Sequence, residues 1–226
     1  METNMSMSNT IRSVFTNNEI NPVASIIGPS HAEEVVVRML TAVCAVSKDI
    51  EVARAVQHLF ANDYFRVYTT TDETGAEMGV AYKNVIAVAS GILSGLGYGD
   101  NARAALITRG LYEMTRYGML KGGELSTFIG LTGVGDLIVT CSSIHSRNFQ
   151  AGKEIGLSND ASDFMIGNSK TVEGVRTAKV IHDEIRERFP HFEAPILDAV
   201  YSVLYENAIP SVKVKDLMNR ALKSEQ

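Results

Sequence analysis

The stretch that most constrains the fold runs from Gly75 to Asp100 and reads GAEMGVAYKNVIAVASGILSGLGYGD. Interpreted as a helix, it carries apolar residues on every face, which is typical of a helix that is buried on all sides. Lys83 and Asn84 interrupt the apolar run, and a buried ammonium is costly unless it is paired or used. The thirteen residues from Val85 to Gly97 are too few to span a bilayer, and they are too rich in Gly and Ser to predict a membrane span. We therefore expect a core helix that presents Lys83 and Asn84 into a cleft at one end.

Lys83 has two interpretations at this point. Its aliphatic stem can pack in the core while the ammonium reaches water, as long cationic side chains commonly do. Alternatively, the amine takes part in chemistry, and burial that favours its neutral form makes it a general base. The apolar residues on both sides of Lys83 make a route to water difficult, so they favour the functional interpretation.

Composition narrows the class of protein. With 226 residues, of which 45% are hydrophobic, the chain can bury one sizeable core. The net charge of -5 argues against a general nucleic-acid-binding protein. Cys44 and Cys141 lie far apart without a C-x-x-C motif, which indicates thiols in a reducing compartment and neither a metal site nor a disulfide framework. The N-terminus lacks the apolar segment of a signal peptide. These features predict a cytoplasmic protein without membrane insertion.

The first third of the chain alternates between strand and helix patterns. A short helix is expected around 8–15, and β-rich apolar runs predict strands at 23–27, 40–47 and 64–70, with helices between them. Ser30, followed three residues later by Glu33, is typical of a capping box at a helix start. The alternation predicts a layered α/β unit. Because three strands are too few to bury a sheet by themselves, either their edge pairs with something else or the chain lacks a partner half.

After Thr70 the pattern changes to helices separated by Gly-rich joints. We therefore predict a mainly α protein with a domain boundary between residues 72 and 73. Residues 1–72 form a partial α/β unit, and residues 73–226 form an all-helical domain. The segment GLGYGD (95–100) is a joint between helices, because it is not G-x-G-x-x-G and follows no strand.

Two polar segments of the helical part are candidates for chemistry. TGVGD (132–136) predicts a turn that places Asp136 at a helix start, with Thr140 one turn later on the same face. An N-cap role explains Asp136 without any chemistry. Ser146 predicts a helix cap followed by Arg147 and Asn148, so free backbone N–H groups and a guanidinium meet in a combination that suits a phosphate. A capped surface helix with a solvated arginine is the alternative. The five histidines lack ligand spacing; His31 and His145 are interpreted as loop positions, and His58 and His182 as rim positions.

Together these segments resemble one family, the NAD(P)-dependent glycerol-3-phosphate dehydrogenases of the bacterial type. The resemblance depends on five blocks, which follow one another in the order of the family: GPSHAEEV (28–35), VAYKNVIAVASGILSGLGYGDNARAALITRGLYEM (80–114), GLTGVGDLIVTC (130–141), SRN (146–148) and TVEGVRTAK (171–179). It implies a Rossmann-like, nucleotide-binding remnant in residues 1–72 and a substrate-binding and catalytic domain in residues 73–226. It also implies NAD or NADP as cofactor and a small phosphate ester as substrate.

The resemblance assigns roles residue by residue. Lys83 matches the proton acceptor that takes the hydroxyl proton of glycerol 3-phosphate as hydride leaves for the nicotinamide. The matching substrate residues are Gly28, Ser30, Asn84, Asp136, Thr140, Ser146, Arg147 and Asn148. The matching cofactor residues are Ala32, Arg147, Thr171 and Glu173. The mechanism requires the amine at 83 and the helix start at 146–148 to face one cavity.

One departure from the family is large. Family members begin with a Rossmann half that carries a G-x-G-x-x-G turn and a second substrate lysine, and neither occurs here. Pyrophosphate binding needs that turn, so we expect this polypeptide alone to bind NAD(P) poorly and to turn over little. A non-catalytic, truncated or split subunit that binds a phosphate ligand or a partner chain is the alternative function. The SRN and GDLIVTC blocks disfavour a dehydrogenase of similar build acting on another substrate. The preference between NAD and NADP and the oligomeric state, including a homodimer, stay open.

Overall fold

The structure is a computed structural model that describes residues 6–15, 22–167, 172–222 and 224–225. Within them, the predicted sheet is confirmed as β1 (Ser25–Ile27), β2 (Thr41–Val46) and β3 (Phe65–Thr70). β2 is the central strand: it pairs antiparallel with β1 and parallel with β3. The helix α3 (Ile50–Phe60) connects the two parallel strands, which is the usual crossover between such strands. The mainly α fold class, with a small α/β part, is therefore confirmed.

The sheet packs on α3 through small and β-branched side chains. Val43 and Ala45 of β2, Ala53 of α3 and Val67 of β3 form a buried cluster. Asp49 caps α3 by accepting a hydrogen bond from the backbone N–H of Glu51 at 2.8 Å. The predicted helical periodicity of this segment thus turns one apolar face towards the sheet.

The predicted N-terminal helix is confirmed as α1 (Met7–Val14), and charged contacts attach it. The carboxylate of Glu77 accepts hydrogen bonds from the backbone N–H and the hydroxyl of Ser8, at 2.8 and 3.0 Å. Arg12 forms a bidentate pair with Glu73, at 2.6 and 2.7 Å. Burial opposes the ionisation of Glu73, but the hydrogen bonds from Arg12 and Ser8 prevail and lower the pKa of its carboxyl group.

The helix after β1 does not begin as predicted. α2 spans Ala32–Val36 and is preceded by His31, not capped by Ser30. The hydroxyl of Ser30 donates instead to the backbone carbonyl of Gly28, at 3.2 Å. The capping-box prediction for Ser30 is therefore wrong, because the helix begins one residue later than predicted and His31 occupies the N-cap position.

After Thr70 the described residues form the expected succession of helices. They are α4 (Glu73–Gly95), α5 (Asp100–Leu120), α6 (Leu125–Phe128), α7 (Asp136–Ser142), α8 (Arg147–Ser158), α9 (Ser162–Gly167), α10 (Glu173–Arg188), α11 (Pro195–Tyr205) and α12 (Pro210–Met218). The centre of α4 is buried as predicted, with Val85 and Ile86 fully inaccessible. Because α4 begins at Glu73, Lys83 lies in the middle of the helix and not at one end as predicted.

The predicted turn at 132–136 is a π-helical turn over Leu131–Gly135. The N–H of Gly135 donates to the carbonyl of Gly130 at 3.1 Å, which is the wide hydrogen bond of a π-helix. Gly133 permits this geometry, because a Cβ at this position would lie 2.1 Å from the backbone oxygen of Phe128. The simple turn prediction is therefore wrong, although Asp136 does begin a helix.

The chain divides into two compact units. Unit 1 comprises 1–83 and 111–140, and unit 2 comprises 84–110 and 141–226. α4 and α5 each contribute residues to both units. The predicted domain boundary at 72/73 marks where the α/β pattern ends and stays a prediction.

Among the described residues, Leu125–Ser142 is long and apolar enough to pass as a membrane span, with a mean hydropathy of 1.4. This is weak support for a span, because core helices satisfy the same criterion. The stretch is divided into α6, the π-helical turn and α7, and it contains the buried carboxylate of Asp136. A charged group at this position suits a protein interior better than lipid. The absence of membrane insertion stays a prediction.

Candidate active site

Lys83 is paired with Asp136 within unit 1. The ammonium of Lys83 on α4 contacts a carboxylate oxygen of Asp136, the first residue of α7, and the two side chains are only 15% and 6% exposed. The predicted burial of the Lys83 side chain is thus accompanied by a specific counter-ion. The ammonium of Lys83 therefore does not extend freely into water. The carboxylate of Asp136 does more than cap its own helix, because it also contacts Lys83.

The approach of α4 to the segment before α7 depends on backbone contacts. Gly79 lies one turn before Lys83, and a Cβ there would be 3.1 Å from the carbonyl oxygen of Thr132. At the start of α4, the carboxylate of Asp72 accepts hydrogen bonds from the N–H groups of Gly75 and Glu124, both at 2.8 Å. These contacts hold α4 against the chain that leads to Asp136.

The environment of Asp136 makes its charge costly. Burial raises the pKa of the Asp136 carboxyl, and the charge and hydrogen bond of Lys83 offset this only in part. Thr140 donates from its hydroxyl to the backbone oxygen of Asp136 at 2.6 Å and also lies 3.3 Å from Oδ1. The predicted position of Thr140 on the same face of the helix is therefore correct. The arrangement is a carboxylate in a largely dry site with an ammonium as its principal partner.

The Gly28–Ala32 loop lies in the same unit. Gly28 has a φ of 154° and would place a Cβ 3.0 Å from the Cα of Val43, so only glycine fits without strain. Pro29 comes next and packs near Gly135, immediately before Asp136: a Cβ at Gly135 would lie 3.5 Å from the Pro29 ring. His31 is close enough for its charge to oppose the rise in the pKa of Asp136. The sequence alone indicates only that His31 lies in a loop.

The second group of predicted residues lies in unit 2, at the start of α8. Ser146 is the N-cap as predicted, and its hydroxyl accepts a hydrogen bond from the N–H of Phe149 at 3.2 Å. Arg147 follows as the first helical residue, with its side chain 69% exposed. A helix N-terminus presents backbone N–H groups that favour an anion. A guanidinium and a helix start are thus combined as the sequence predicted.

Asn148 connects α8 to the start of α10. Its Oδ1 accepts a hydrogen bond from the buried N–H of Gly174 at 2.8 Å, and its Nδ2 lies 3.5 Å from Glu173. Gly174 also lies against α4, because a Cβ there would be 2.4 Å from the backbone oxygen of Asn84. The side chains of Arg147 and Glu173 form an ion pair at 2.6 Å. The segments that carry Asn84, Asn148 and Glu173 therefore meet around Gly174, a residue that the sequence interpretation missed.

Helix α8 is placed by a close glycine contact with the second half of α4. A Cβ at Gly152 would lie 2.0 Å from the carbonyl oxygen of Val88, and one at Gly156 would lie 2.4 Å from that of Ile92. From the other side, a Cβ at Gly91 would lie 2.1 Å from the carbonyl oxygen of Phe149. Glycines on both helices thus allow the backbones to touch, which determines where the N-terminus of α8 lies within unit 2.

The predicted site residues divide between the two units as follows. Unit 1 holds Gly28, Ser30, Ala32, Lys83, Asp136 and Thr140. Unit 2 holds Asn84, Ser146, Arg147, Asn148 and Glu173. Ala32 is exposed at the start of α2, and Thr171 lies outside the described residues. The pairings Lys83–Asp136 and Arg147–Glu173 were not predicted, although the sequence contains each partner among the candidates.

Two models of one known protein family match this chain. The family model described as the C-terminus of NAD-dependent glycerol-3-phosphate dehydrogenase matches residues 72–215, and the model of the N-terminus of that family matches residues 1–53. The chain belongs to the NAD-dependent glycerol-3-phosphate dehydrogenase family. The resemblance seen in the five sequence blocks is thereby confirmed.

Individual relatives of this glycerol-3-phosphate dehydrogenase family agree. A glycerol-3-phosphate dehydrogenase [NAD(P)+] of Lacticaseibacillus casei is 50% identical over 219 residues, which cover 97% of this chain and 62% of the relative. One from Staphylococcus aureus is 50% identical over 203 residues, which cover 90% of this chain and 60% of the relative. The crystal structure of glycerol-3-phosphate dehydrogenase from Coxiella burnetii superimposes with a TM-score of 0.81 at 36% identity, over 88% of this chain and 61% of that one. The chain thus spans about three fifths of the length of these family members.

Proposed function

We propose that this protein acts as a glycerol-3-phosphate dehydrogenase [NAD(P)+], which interconverts sn-glycerol 3-phosphate and dihydroxyacetone phosphate by hydride transfer. The main support for this proposal is the buried Lys83–Asp136 pair, which lies within the residues matched by the C-terminal family model. Lysine is the type of residue that can exchange a proton with the reacting oxygen at this site.

The paired state of Lys83 suits the reductive direction of the reaction. The carbonyl carbon of dihydroxyacetone phosphate takes up a hydride, and its oxygen becomes an alcohol by taking a proton from Lys83 Nζ. When bound, the reduced nicotinamide cofactor supplies the hydride. Asp136 orients the ammonium and stabilises its charge before the transfer. The amine then regains a proton from solvent.

In the oxidative direction the same group is the proton acceptor. Lys83 must then be neutral when the hydroxyl of glycerol 3-phosphate loses its proton. The carboxyl of Asp136 has a pKa raised by burial and lies in contact with Nζ, so it can take up the proton that leaves the ammonium. Asp136 thus assists both directions, by stabilising the charged lysine in one and by accepting its proton in the other.

The groups at the start of α8 fit the phosphate end of the substrate. We propose that Arg147, Asn148 and the helix N-terminus capped by Ser146 bind the phosphate oxygens. Asn84 and the loop with Gly28 and Ser30 are proposed as further substrate contacts. Each group can be tested separately by substitution in its own unit.

The residues present fit only part of a nicotinamide dinucleotide. The exposed guanidinium of Arg147 and the carboxylate of Glu173 can interact with its charged and polar groups, and Ala32 and Thr171 are proposed as further contacts. No G-x-G-x-x-G turn occurs in the sequence to hold the pyrophosphate. We therefore propose that these 226 residues alone have weak or no turnover. The choice between NAD and NADP is left to experiment.

The decisive experiment compares the chain with a fusion that adds the nucleotide-binding segment of the Lacticaseibacillus casei relative. We expect the fusion to oxidise NADH or NADPH with dihydroxyacetone phosphate, and Lys83→Ala to lower kcat by about 10²- to 10⁴-fold while substrate binding is retained. Turnover close to that of the unsubstituted fusion would refute the role of Lys83. A fusion that binds phosphate without any turnover would support the alternative function, a non-catalytic subunit that binds a phosphate ligand or a partner chain.

We base the proposed metabolic role, location and partners on the family and the composition. Reduction of dihydroxyacetone phosphate supplies glycerol 3-phosphate for phospholipid synthesis, and we propose a cytoplasmic protein that acts on a small molecule. We propose neither a nucleic-acid partner nor membrane insertion, in keeping with the net charge of -5. A homodimer is one proposed assembly, and light scattering of the purified chain tests it.

A further inference from the structure

The carboxylate of Glu173 occupies the donors at the start of α8. Nη2 of Arg147 donates to Oε1 of Glu173 at 2.6 Å, and Nδ2 of Asn148 lies 3.5 Å from Oε2. Both carboxylate oxygens therefore face donors that the proposed function assigns to the phosphate of the ligand. In this respect, Glu173 stands where two oxygens of a phosphate are expected to bind.

Two contacts hold Glu173 in this position. Glu173 is the first residue of α10, where a helix N-terminus favours a negative charge. The next residue, Gly174, donates its N–H to Oδ1 of Asn148 at 2.8 Å in a buried contact and lies against the backbone of Asn84. The start of α10 is thus fixed beside Asn148. These contacts consequently hold the carboxylate of Glu173 near Arg147.

We propose that the carboxylate of Glu173 competes with the anionic end of the ligand for Arg147. It thereby lowers the affinity of the Arg147 site for anions. This inference rests on the proposed function, because it takes the phosphate of the substrate as the competing anion. An incoming phosphate must separate Arg147 from Glu173, and the released carboxylate keeps a favourable place at the N-terminus of α10. Weakly binding anions that reach the site then occupy it less, because they must displace the same carboxylate.

The size of the effect follows from the exposure of the pair. Arg147 and Glu173 are 69% and 46% exposed, so water screens their attraction and the pair is held only part of the time. The apparent dissociation constant of an anion rises by the inverse of the fraction of molecules in which Arg147 is available. For an exposed ion pair this corresponds to a change of about two- to fivefold.

The test is a titration of the 226-residue chain with inorganic phosphate at constant ionic strength, followed through the backbone amide resonance of Asn148. We expect Glu173→Gln to lower the dissociation constant of phosphate about two- to fivefold, because the amide keeps the shape of the side chain and removes its charge. In an Arg147→Gln background the same substitution is expected to have no effect on phosphate affinity, because the guanidinium for which phosphate and Glu173 compete is absent.

Asp183→Asn is the matched control. Asp183 also lies on α10 and is paired with a cation, Lys179, at 2.9 Å, so its substitution removes the same charge from the same helix. We expect phosphate affinity to be unchanged in this variant.

If phosphate affinity depends on Arg147 but not on Glu173, the competitor role is wrong and the phosphate site of the proposed function is supported. An equal gain from Glu173→Gln with and without Arg147 would also overturn the competitor role, because it would indicate a general effect of charge. If Arg147→Gln does not change phosphate affinity, the phosphate site itself is wrong, and this inference is overturned with it.

Discussion

Lys83 and Asp136 lie 53 positions apart in the chain, yet their charged groups are in contact in a site where both side chains are largely shielded from water. Breaking such a pair by removing one partner is costlier than the pair itself is stabilising, because the remaining charge stays buried. The two residues should therefore behave as one functional unit, which has consequences for turnover and for the pH dependence of stability.

The first prediction concerns turnover. Asp136→Asn should lower kcat in the fusion with the nucleotide-binding segment by about 10- to 100-fold, because Lys83 loses its orienting partner but keeps its amine. The double variant Lys83→Ala with Asp136→Asn should be no slower than Lys83→Ala alone, since groups that act together are not additive. Steady-state kinetics with dihydroxyacetone phosphate measure both. Independent, multiplicative effects of the two substitutions would contradict the coupling.

The second prediction concerns pH. Because the pKa of Asp136 is raised in the folded state, the proton is bound more tightly there than in the unfolded chain. Its contribution to stability is therefore fully present below the ordinary aspartate pKa of about 3.9 and is lost as the pH rises through the folded value. The free energy of unfolding of the wild type minus that of Asp136→Asn should fall across this interval, as measured by urea unfolding at a series of pH values.

A control for this pH series is Asp183→Asn. The hydrogen bond from Lys179 lowers the pKa of Asp183, so its contribution is present above the ordinary aspartate pKa and is lost as the pH falls through the folded value. The corresponding difference curve should therefore have the opposite slope. Parallel curves for the two substitutions would show that the burial of Asp136 does not govern its titration.

The third prediction concerns the attachment of α1. Arg12→Ala leaves the carboxylate of Glu73, which is only 5% exposed, without its bidentate partner. We expect the free energy of unfolding to fall by roughly 1–3 kcal/mol at neutral pH. Most of this loss should be recovered in the double variant Arg12→Ala with Glu73→Gln, because the buried charge that has lost its principal partner is removed. Chemical denaturation measures both, and a double variant no more stable than Arg12→Ala would count against the charge argument.

The pairing of Glu73 also implies a loss of stability in acid. Its pKa is lowered in the folded state, so the stability it contributes is present above the ordinary glutamate pKa and is lost as the pH falls through the folded value. Glu73→Gln should remove that part of the acid sensitivity.

The fourth prediction concerns the glycine contact between α4 and α8. Gly152→Ala should destabilise unit 2 by about 1–3 kcal/mol, because the new methyl group would lie 2.0 Å from the backbone oxygen of Val88 and the helices must separate. Gly167→Ala is the control, since a Cβ there would meet nothing within 4 Å. Thermal unfolding of the two variants checks the difference. Equal melting temperatures would show that the helices can adjust without cost.

Local patterns predicted some features and failed at others for an identifiable reason. Ser146 and Ser30 both precede a helix, but only Ser146 caps one. After Ser30 the helix begins at Ala32, so His31 occupies the N-cap position, and the sequence pattern does not distinguish the two outcomes. The π-helical turn at Leu131–Gly135 was missed in the same way, because the contact of Gly133 with Phe128 that accompanies it depends on the folded path of the chain.

The sequence by itself determined the helical and strand segments, the burial of α4 and the family, because periodicity, caps and contiguous sequence blocks are properties of neighbouring residues. Only the tertiary structure decided which charges meet. Lys83 with Asp136, Arg12 with Glu73 and Arg147 with Glu173 are pairs of residues distant in sequence. The contacts of Lys83 and Arg147 depend on how closely the backbone segments pack, and therefore on glycines at 79 and 174, whose importance lies in the missing side chain. A pattern along the chain contains no information on that distance.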